Sequence, residues 1–482
     1  MNLAYKLFET SKNFKDSTAF IANDQKISFS DLWEKVSILS NAFEKLGVKE
    51  GTKVAIILPN CIEYIYSFFA LLKINAILVP IEPIYNIRTY REIFQENCPN
   101  AVITNSNIIL NTLLFDNFLL KDRKLITVDS SAWIKENFPK AVAFEALFKI
   151  GKPNDDFKNL SSDLTCCIIH TYKGLGYPIG VEITSGNLYA GVLSLTDMAK
   201  DAKNFLLILP MAHIFGLLST AITPLLRGDR IIIPKNNSSD EIFSVIEKYQ
   251  INFFVGVPTL FLYLMNSFDD KKHNLKSLKY CISGGNFLSR TKHKIIEKKM
   301  GINIFQGYGL TEALIVSCNL YDNNKPGTLG QIRPGIKVKI VNDSLTEVKI
   351  GKKGEIMIGG PTVMRGYHNR KKETNEALVD GWLFTGDYGF IDKSGNLNFI
   401  GLKKKIAKIS GHNVDLLEIE RVLKEHPNVE DVKAYAKDDF IWGQKIGIDV
   451  KVKKEISKEE ILIFCQKNFV TFQIPKIINF KN

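Results

Sequence analysis

Three short stretches of the chain combine residue types that could bind a nucleotide phosphate and its metal ion. Residues 306–312 read QGYGLTE, so two glycines precede a hydroxyl and a carboxylate. Glycines let the backbone approach a ligand closely, and a threonine beside a glutamate suits a phosphate with its Mg²⁺. Residues 283–286 read SGGN, and residues 381–387 read GWLFTGD, which places an aspartate at the end of a glycine-rich turn. Each stretch alone is also compatible with an ordinary loop.

The position of these stretches leaves a binding and a structural interpretation open. Residues 279–283 read as a strand, and ligands of α/β proteins bind at the carboxyl edge of a parallel sheet. Thr311 and Glu312 could instead begin a capped helix, and Asp387 could stabilise a turn. His213 lies in an apolar stretch, where a core histidine and a residue beside a substrate pocket are both compatible with the sequence.

In their order along the chain (283–286, 306–312 and 381–387), the three stretches resemble the adenylate-forming superfamily, which comprises acyl-CoA synthetases, adenylation domains of peptide synthetases and firefly luciferase. The similarity covers nearly the whole chain. Supporting stretches are LPMAHIFG at 209–216, GEI at 354–356, GPTVMRGY at 360–367, GHN at 411–413 and EIE at 418–420. The resemblance implies that a carboxylic acid attacks the α-phosphate of ATP, which gives an acyl-adenylate and pyrophosphate. The thiol of CoA or of a carrier-protein phosphopantetheine then takes the acyl group.

The same resemblance implies roles for individual residues. Thr311 would contact the α-phosphate, Glu312 would hold Mg²⁺, and His213 would lie where the carboxylate enters. Asp387 would accept both ribose hydroxyls, and an adenine slot would be formed by Gly284, Gly285 and Tyr308. The whole predicted nucleotide site is Gly284, Gly285, Asn286, Gln306, Gly307, Tyr308, Gly309 and Asp387.

The acyl pocket and the partners are implied in the same way. The pocket is predicted near Ala212, Val257 and Gly307, whose small or apolar side chains suit a fatty or aryl acid. The expected partners are this acid and, as an alternative to CoA, an acyl carrier protein.

The predicted phosphate loop departs from the superfamily pattern, which is rich in hydroxyls and ends in Pro-Lys-Gly. Residues 171–180 read TYKGLGYPIG, so Ile179 replaces the lysine and Thr171 is the only serine or threonine that remains. Gly174 and Gly176 keep a flexible loop with exposed N–H groups, the part of a phosphate cradle that needs no side chain. Lys173 restores a positive charge a few residues earlier, where it either reaches phosphate or is solvated.

Three further departures concern the second half of the chain. Leu402 occupies the position of an arginine that would hold the ribose, and leucine cannot donate a hydrogen bond. Lys405 reverses the charge of an expected hinge aspartate. The sequence ends after Lys476 without the tail lysine that bridges carboxylate and α-phosphate, so we expect either a truncated chain or a gene product without it.

These losses keep a second function class open beside the ATP-dependent ligase. A non-catalytic or half-reaction relative would bind nucleotide, acyl group or carrier protein without forming its own adenylate. Removing one catalytic group can cost several orders of magnitude in rate and leave binding intact. Pyrophosphate release with a panel of carboxylic acids separates the two classes. The intact residues 311–312 and 387 favour the ligase.

The elements that must position these residues begin with a βαβ pattern. Ser30 and Asp31 are predicted to cap a helix that ends at Gly47 and whose apolar stripe is Leu32, Val36, Leu39, Phe43 and Leu46. The next predicted elements are a strand at 52–58, a helix at 63–73 and strands at 76–80, 204–210, 230–234, 251–257 and 279–283. This alternation indicates largely parallel sheets with helices on both faces.

From about residue 325, short strands separated by turns predict an antiparallel, barrel-like subdomain up to about residue 400. Its clearest strands are 336–341 and 355–358. After a hinge near 401–405, a small α+β segment is predicted, with helices at 416–425 and 458–468 and strands at 432–436 and 446–452. The predicted fold class is α/β. A large N-terminal domain at 1–400 contains two parallel-type sheets plus the barrel-like subdomain, and a small mobile domain follows at 401–482.

Composition excludes several other classes. Of the 482 residues, 45% are hydrophobic and 24% are charged, which is typical of a soluble globular protein. A chain of this length is too long for a single hydrophobic core. The net charge of +12 is spread along the chain, so it disfavours a nucleic-acid binder, whose binding would depend steeply on salt. Seven cysteines without CxxC spacing indicate reduced thiols and argue against a zinc site.

One apolar stretch could be mistaken for a membrane span. Residues 205–226 carry no formal charge, but Pro210 and Pro224 interrupt them. A buried strand, a loop and a helix explain the stretch better than insertion. The N-terminus has no apolar core or cleavage signal, so we expect a cytoplasmic protein without a transmembrane segment.

Overall fold

The computed structural model describes residues 2–111, 117–129, 131–157, 159–196, 198–402 and 406–481, whose strands form three sheets. The strands are β1 (Thr18–Ala22), β2 (Gln25–Ser28), β3 (Lys53–Ile56), β4 (Ile77–Pro80), β5 (Ala101–Thr104), β6 (Lys124–Thr127), β7 (Val142–Ala143), β8 (Thr165–Tyr172), β9 (Pro178–Thr184), β10 (Asn204–Leu206), β11 (Arg230–Ile233), β12 (Phe253–Gly256), β13 (Tyr280–Ser283), β14 (Ile304–Leu310), β15 (Leu314–Cys318), β16 (Gly330–Ile332), β17 (Lys337–Val341), β18 (Gly354–Gly359), β19 (Gly366–Tyr367), β20 (Leu378–Val379), β21 (Trp382–Ile391), β22 (Asn396–Leu402), β23 (Ile406–Ile409), β24 (His412–Asp415), β25 (Val429–Asp439), β26 (Gly443–Val452) and β27 (Ile477–Lys481).

Helices connect these strands and pack beside the sheets. They are α1 (Leu3–Asn13), α2 (Phe29–Lys45), α3 (Ile62–Lys73), α4 (Ile87–Asn97), α5 (Ser106–Asn111), α6 (Asn117–Leu120), α7 (Ala132–Asn137), α8 (Phe144–Ile150), α9 (Ser185–Thr196), α10 (Ile214–Gly216), α11 (Thr223–Arg227), α12 (Ser239–Lys248), α13 (Pro258–Ser267), α14 (Arg290–Met300), α15 (Lys371–Ala377), α16 (Leu416–Leu423) and α17 (Lys458–Asn468). A π-helix, Leu217–Ile222, joins α10 to α11, and a 3₁₀ turn, Thr471–Gln473, follows α17.

The two larger sheets are covered on both faces, as the sequence pattern predicts. Along β3, Val54 and Ile56 belong to one hydrophobic core and Ala55 to another on the opposite face. The first core contains residues of α2 and α3, and the second contains residues of α4. Because successive side chains of a strand point to opposite faces, a continuous apolar run here reflects burial on both sides.

The first sheet has the order β17-β18-β21-β22-β16-β15-β14-β13-β12-β10-β11-β1-β2, with β20 paired to β21. Its centre from β11 to β14 is parallel, and β14 turns into antiparallel β15. The antiparallel strands β16–β18 and β20–β22, which correspond to the predicted barrel-like subdomain, thus continue the parallel sheet through β14 and β15.

The other two sheets define the rest of the molecule. The second sheet has the order β19-β9-β8-β4-β3-β5-β6-β7 and is parallel from β8 through β4, β3, β5 and β6 to β7. The third contains β23–β27 and has a core of its own with α16 and α17. This separate core confirms a large N-terminal and a small C-terminal domain. The boundaries of the two domains stay a prediction, and the hinge positions 403–405, including Lys405, lie outside the described residues.

Two details refine the local predictions. The cap of α2 was predicted wrongly: Ser28, two residues before Ser30, caps the helix, and its hydroxyl accepts from the Asp31 backbone N–H at 3.0 Å. Asp31 completes a capping box by accepting from the Ser28 N–H, which is why the pattern pointed to it. Residues 205–226 form the end of β10, a loop and the helices α10 to α11, with Pro224 in the first turn of α11. Among the described residues, no helix is long and apolar enough to cross a membrane.

Candidate active site

The candidate site lies at the carboxyl ends of three neighbouring parallel strands. Val257 follows β12, Gly284 follows β13, and Thr311 follows β14. His213 follows the end of β10, which lies next to β12 in the same sheet. One sheet edge therefore gathers residues from four separate stretches of the sequence. This is the edge at which ligands of open α/β sheets bind.

Gln306 holds the SGGN loop at this edge. Its buried amide donates to the Asn286 carbonyl oxygen at 3.1 Å, and its side-chain oxygen accepts from the Leu288 N–H at 3.0 Å. The Asn286 side chain donates in turn to the Lys408 carbonyl oxygen of the small domain at 3.3 Å. Gln306 thus holds the loop, and Asn286 connects the loop to the small domain. Neither residue lines the cavity described below.

Space above Gly284 and Gly285 is restricted by their neighbours. A Cβ atom on Gly284 would lie 2.8 Å from the Phe215 ring, so the ring packs directly on the backbone. Gly285 has a φ of +74°, which side-chain-bearing residues rarely adopt. Both glycines and Tyr308 line one cavity, as an adenine slot requires.

Asp387 and Tyr308 form a buried pair in the same cavity. The Tyr308 hydroxyl donates to Asp387 Oδ2 at 2.7 Å. Burial, and secondarily the Asp387 charge, raises the pKa of Tyr308 well above its usual value. Leu402 lies directly opposite Asp387 in the β21–β22 pair, where it adds an apolar side chain beside the carboxylate.

Thr311 and Glu312 occupy the turn between antiparallel β14 and β15, and they do not begin a helix. Glu312 is 1% exposed, and its Oε1 accepts from the Tyr367 hydroxyl at 2.9 Å. The Lys173 Nζ lies 3.0 Å from the same oxygen and 3.3 Å from the Thr385 carbonyl oxygen. Burial, and then the Glu312 charge, raises the pKa of Tyr367 above its usual value. Lys173 is therefore held at the Glu312 carboxylate and is not solvated.

The Glu312 carboxylate suits Mg²⁺ by its chemistry, since this ion is commonly held by one or two carboxylates together with substrate phosphates. In the arrangement described, the Lys173 ammonium already balances that buried charge. Mg²⁺ and the ammonium compete for the same oxygen, so the residues fit the ion once Lys173 moves from Glu312 toward a phosphate.

The predicted phosphate loop is the turn of the β8–β9 hairpin. Tyr172 pairs with Pro178 across it, which leaves residues 173–177 as the turn. The Gly176 N–H donates to Asp415 Oδ2 at 2.6 Å, and its carbonyl oxygen accepts from Arg421 Nε at 3.1 Å. The small domain therefore holds the loop through its backbone. Thr171 and Lys173 line the cavity, whereas Gly174 and Gly176 do not.

The isoleucine that replaces the loop lysine is part of the core. Ile179 lies in β9 opposite Thr171 and is fully buried. Burying a charged side chain at this position would be costly unless it found a partner. The charge of the loop has instead moved to Lys173, on the cavity side of the hairpin.

Glu418 is a buried acid at the contact between the two domains. It is 2% exposed, and its oxygens accept from the Tyr172 hydroxyl at 3.4 Å and from the Gln473 amide at 2.8 Å. Burial, followed by the charges of Glu92 and Asp415, raises the pKa of Glu418 to about 8. The acid is therefore protonated at neutral pH while the domains are in contact.

His213 hydrogen-bonds a glutamate that the sequence did not single out. Its Nε2 contacts Glu82 Oε2, and Nδ1 of His412 lies 4.0 Å from the same oxygen. Burial opposes charge on His213, but Glu82 outweighs burial and raises the pKa of the histidine. Burial raises the pKa of Glu82, and the charge of His213 reverses this effect, so the net pKa is lowered. Burial, with His213 nearby, lowers the pKa of His412 to about 4.

A cavity of about 270 Å³ joins these groups. Its polar part is lined by Thr171, Lys173, His213, Thr311, Glu312 and Asp387, and its apolar part by Leu195, Met198, Leu218, Phe253, Val255, Val257, Ile282, Gly307, Ile315 and Cys318. Gly309 also lines the cavity, whereas Ala212 is buried beside His213 and does not. The small domain closes one side with Ser410, Gly411, His412, Asn413 and Phe472.

Sequence reasoning missed several residues of this site. Glu82, Tyr367, Asp415 and Arg421 received no role, although Tyr367 belongs to a stretch that supported the resemblance. Their partners are at least 55 residues away in sequence, so no local spacing could reveal the contacts. Glu82, the fourth residue of the stretch VPIEP at 79–83, carries no periodic or motif signal.

Comparison with known proteins identifies the family. A family model described as "AMP-binding enzyme" matches residues 7–368. The chain belongs to the AMP-binding enzyme family. A long-chain-fatty-acid–CoA ligase of Haemophilus influenzae is 28% identical over 97% of this chain and 89% of its own length. The ligase of the same name from Bacillus subtilis is 27% identical, with coverages of 98% and 90%.

Solved structures of this type have the same fold. An amide bond synthetase, McbA of Marinactinospora thermotolerans, matches with a TM-score of 0.90 and 20% identity over 100% of this chain and 96% of its own. A double mutant of the o-succinylbenzoate CoA synthetase of Bacillus subtilis, bound to a product analogue, matches with a TM-score of 0.85 and 22% identity, with coverages of 99% and 94%.

These findings confirm the resemblance and the α/β fold. At the level of the family, they also confirm the prediction of an AMP-forming acid–thiol ligase that uses ATP, Mg²⁺ and CoA. The roles of the individual site residues stay predictions.

Proposed function

We propose that this AMP-binding enzyme activates a long-chain fatty acid as its adenylate and transfers the acyl group to CoA. The observation that carries the proposal is the single cavity in which Thr311, Glu312 and Asp387 adjoin an apolar pocket. The names of the curated relatives, long-chain-fatty-acid–CoA ligases, support this acid class.

In the first step, a carboxylate oxygen attacks the α-phosphorus of ATP, and the bond to pyrophosphate breaks. Asp387 fixes the ribose by accepting its hydroxyls, and Tyr308 orients the Asp387 carboxylate by donating to Oδ2. Thr311 donates to the α-phosphate from the rigid turn between β14 and β15. These contacts accelerate the reaction by holding the reacting atoms in line.

Positive charge at the phosphates comes from Lys173 in this proposal. Its ammonium lies beside Thr385 and Glu312, within the polar part of the cavity. Mg²⁺, when held by Glu312, would supply further neutralisation of the phosphate oxygens. Lys173 thereby takes over the role of the loop lysine that Ile179 cannot fulfil.

In the second step, the sulfur of the thiol attacks the acyl carbonyl carbon and AMP leaves. Loop 410–413 of the small domain lines the cavity, and Gly411 packs on Val257, where a Cβ atom would lie only 2.5 Å from Val257 Cγ1. This contact supports an approach of the thiol to the predicted acyl pocket from the side of the small domain. An acyl carrier protein as donor of the thiol, and a cytoplasmic location, stay predictions.

A second candidate function is binding of nucleotide or acyl-adenylate without adenylation. Two observations favour it: Ile179 is locked in the core, and Leu402 occupies the place beside Asp387 from which an arginine would act. Under this alternative, the Lys173–Glu312 pair is a permanent substitute for the metal ion.

The experiment is to incubate the chain with ATP, Mg²⁺, CoA and a panel of fatty and aryl acids, and to detect acyl-CoA by mass spectrometry. The proposal predicts acyl-CoA from long-chain fatty acids. It also predicts that Glu312→Gln removes the product, whereas the matched surface variant Glu376→Gln, with a side chain 66% exposed, retains it. A thermal shift with AMP but no pyrophosphate from any acid would support the second function.

A further inference from the structure

Three potential metal ligands from separate parts of the chain meet beside the cavity. Glu82 follows β4, His213 precedes α10, and His412 begins β24 of the small domain. One ligand atom of each lies within 4.8 Å of the others. Glu82 is 5% exposed, and both histidines line the cavity.

The spacing is close to that of a coordinated ion. Zn²⁺ binds imidazole nitrogens and carboxylate oxygens at roughly 2.0–2.2 Å with tetrahedral geometry, which places neighbouring ligand atoms about 3.4 Å apart. Here His213 Nε2 and Glu82 Oε2 are in hydrogen-bond contact, and His412 Nδ1 is 4.0 Å from that oxygen. Shifts of about 1 Å or less in the side chains would bring these pairs to the required spacing.

The surrounding contacts hold two of the ligands in place. The His412 ring stacks on Phe472 with centroids 4.1 Å apart and an angle of 8° between the planes. The Glu82 carbonyl oxygen accepts from the Tyr90 hydroxyl at 3.3 Å and from the Tyr85 N–H at 3.2 Å. These contacts fix the plane of the His412 ring and the backbone that carries the Glu82 carboxylate.

We propose that Glu82, His213 and His412 form a binding site for a transition-metal ion of the Zn²⁺ class. Two imidazoles with one carboxylate suit Zn²⁺, Co²⁺ or Ni²⁺ better than Mg²⁺, which takes oxygen ligands. Three protein ligands leave a fourth position open toward the cavity, for water or a thiol sulfur. The cysteine spacing that argues against a zinc site does not bear on these histidines.

The site also has a structural consequence. Glu82 and His213 belong to the large domain and His412 to the small one, so the complete three-ligand site forms only while the two domains are in contact. An ion that binds the closed arrangement alone stabilises that arrangement by mass action. Zn²⁺ would therefore fasten the small domain over the cavity, independently of which acid the enzyme activates.

The test is equilibrium dialysis of the whole, metal-free chain against Zn²⁺, with bound metal measured by mass spectrometry. The central variant is His412→Phe, which keeps the aromatic stack on Phe472 and removes the ring nitrogens. The matched control is His426→Phe, because His426 lies in the same domain and outside the cavity. A second variant, Glu82→Gln, addresses the site from the large domain.

We expect the wild type and His426→Phe to bind one additional Zn²⁺ per chain compared with His412→Phe and Glu82→Gln. If the stoichiometry is the same, the affinity of the wild type and His426→Phe should be at least about tenfold higher. Co²⁺ should show the intense visible absorption of a tetrahedral site in the wild type and in His426→Phe. The two ligand variants, His412→Phe and Glu82→Gln, should lack it. Zn²⁺ should also raise the unfolding temperature of the wild type and leave that of His412→Phe unchanged. Equal zinc binding by the wild type and both ligand variants, including no binding by any of them, would overturn the proposal.

Discussion

Replacement of Lys173 by methionine is the perturbation whose effect the structure defines best. Methionine has a similar length and no charge, so the substitution removes the ammonium from Glu312 without opening a large cavity. The carboxylate is 1% exposed, and among the described residues the Tyr367 hydroxyl is then the remaining donor to Oε1. The buried charge is then no longer balanced.

The expected cost follows from the burial of the pair. The Lys173 and Glu312 side chains are 12% and 1% exposed, and their charged atoms are 3.0 Å apart. Removing one partner of such a buried pair typically costs about 3–5 kcal/mol, because the other charge stays desolvated. The matched surface pair, Lys279 with Asp201, has a comparable distance of 2.8 Å, but its side chains are 56% and 54% exposed. Lys279→Met should therefore cost much less, because water screens an exposed ion pair.

The assay is urea unfolding followed by tryptophan fluorescence, with EDTA and with excess Mg²⁺. Lys173→Met should lose several times more stability than Lys279→Met in EDTA. The double variant Lys173→Met/Glu312→Gln should recover most of the loss, because it removes both charges. Mg²⁺ should stabilise Lys173→Met more than the wild type, since the ion can then bind the free carboxylate.

The same residue gives a kinetic readout. Lys173→Ala should raise the KM for ATP or abolish turnover, because no other loop side chain carries the charge. If Lys173→Met destabilises the enzyme no more than Lys279→Met, the ammonium does not neutralise Glu312, and the reasoning is refuted. Unaltered ATP kinetics in Lys173→Ala would refute its role at the phosphates.

Three further predictions concern the pocket, the ribose contact and the domain contact. Gly307→Phe should shorten the preferred acyl chain, since a Cβ atom there meets its neighbours at an ordinary 3.5 Å and the ring must extend into the cavity; an unchanged chain-length profile would count against this pocket. Asp387→Asn should weaken AMP binding by about tenfold or more in calorimetry, because it removes a charged acceptor, whereas equal affinity would exclude the ribose role. Glu418 keeps its proton in the folded state up to a pKa of about 8, whereas its usual value is 4.5, so stability should fall as pH rises through this window, by up to about 1.4 kcal/mol per pH unit. Glu418→Gln should flatten that slope, and an identical pH profile would contradict the assignment.

The sequence predicted the parts of the fold that depend on local patterns. The buried strands β3, β4, β12 and β13 are continuous apolar runs, and the stretch around 284 was expected at the carboxyl edge where it lies. The cap of α2 was misplaced by two residues because Ser28 and Ser30 are both plausible caps, and the reciprocal bond with Asp31 decides between them.

The contacts that give the site its chemistry were not predictable in this way. Lys173 could have been solvated, and only the fold brings it to Glu312, which is 139 positions later in the sequence. The Glu82–His213 contact and the approach of His412 depend on how three elements and two domains pack. The spacing of residues along the sequence does not reveal such tertiary contacts.

The most direct test of acid activation is exchange of labelled pyrophosphate into ATP, measured with and without a long-chain fatty acid and in the absence of CoA. This exchange isolates the first step, because pyrophosphate re-enters ATP only through an acyl-adenylate. Acid activation by this enzyme predicts exchange that depends on the fatty acid and is lost in Glu312→Gln and Lys173→Ala. No acid-dependent exchange by a folded protein that binds AMP would contradict it.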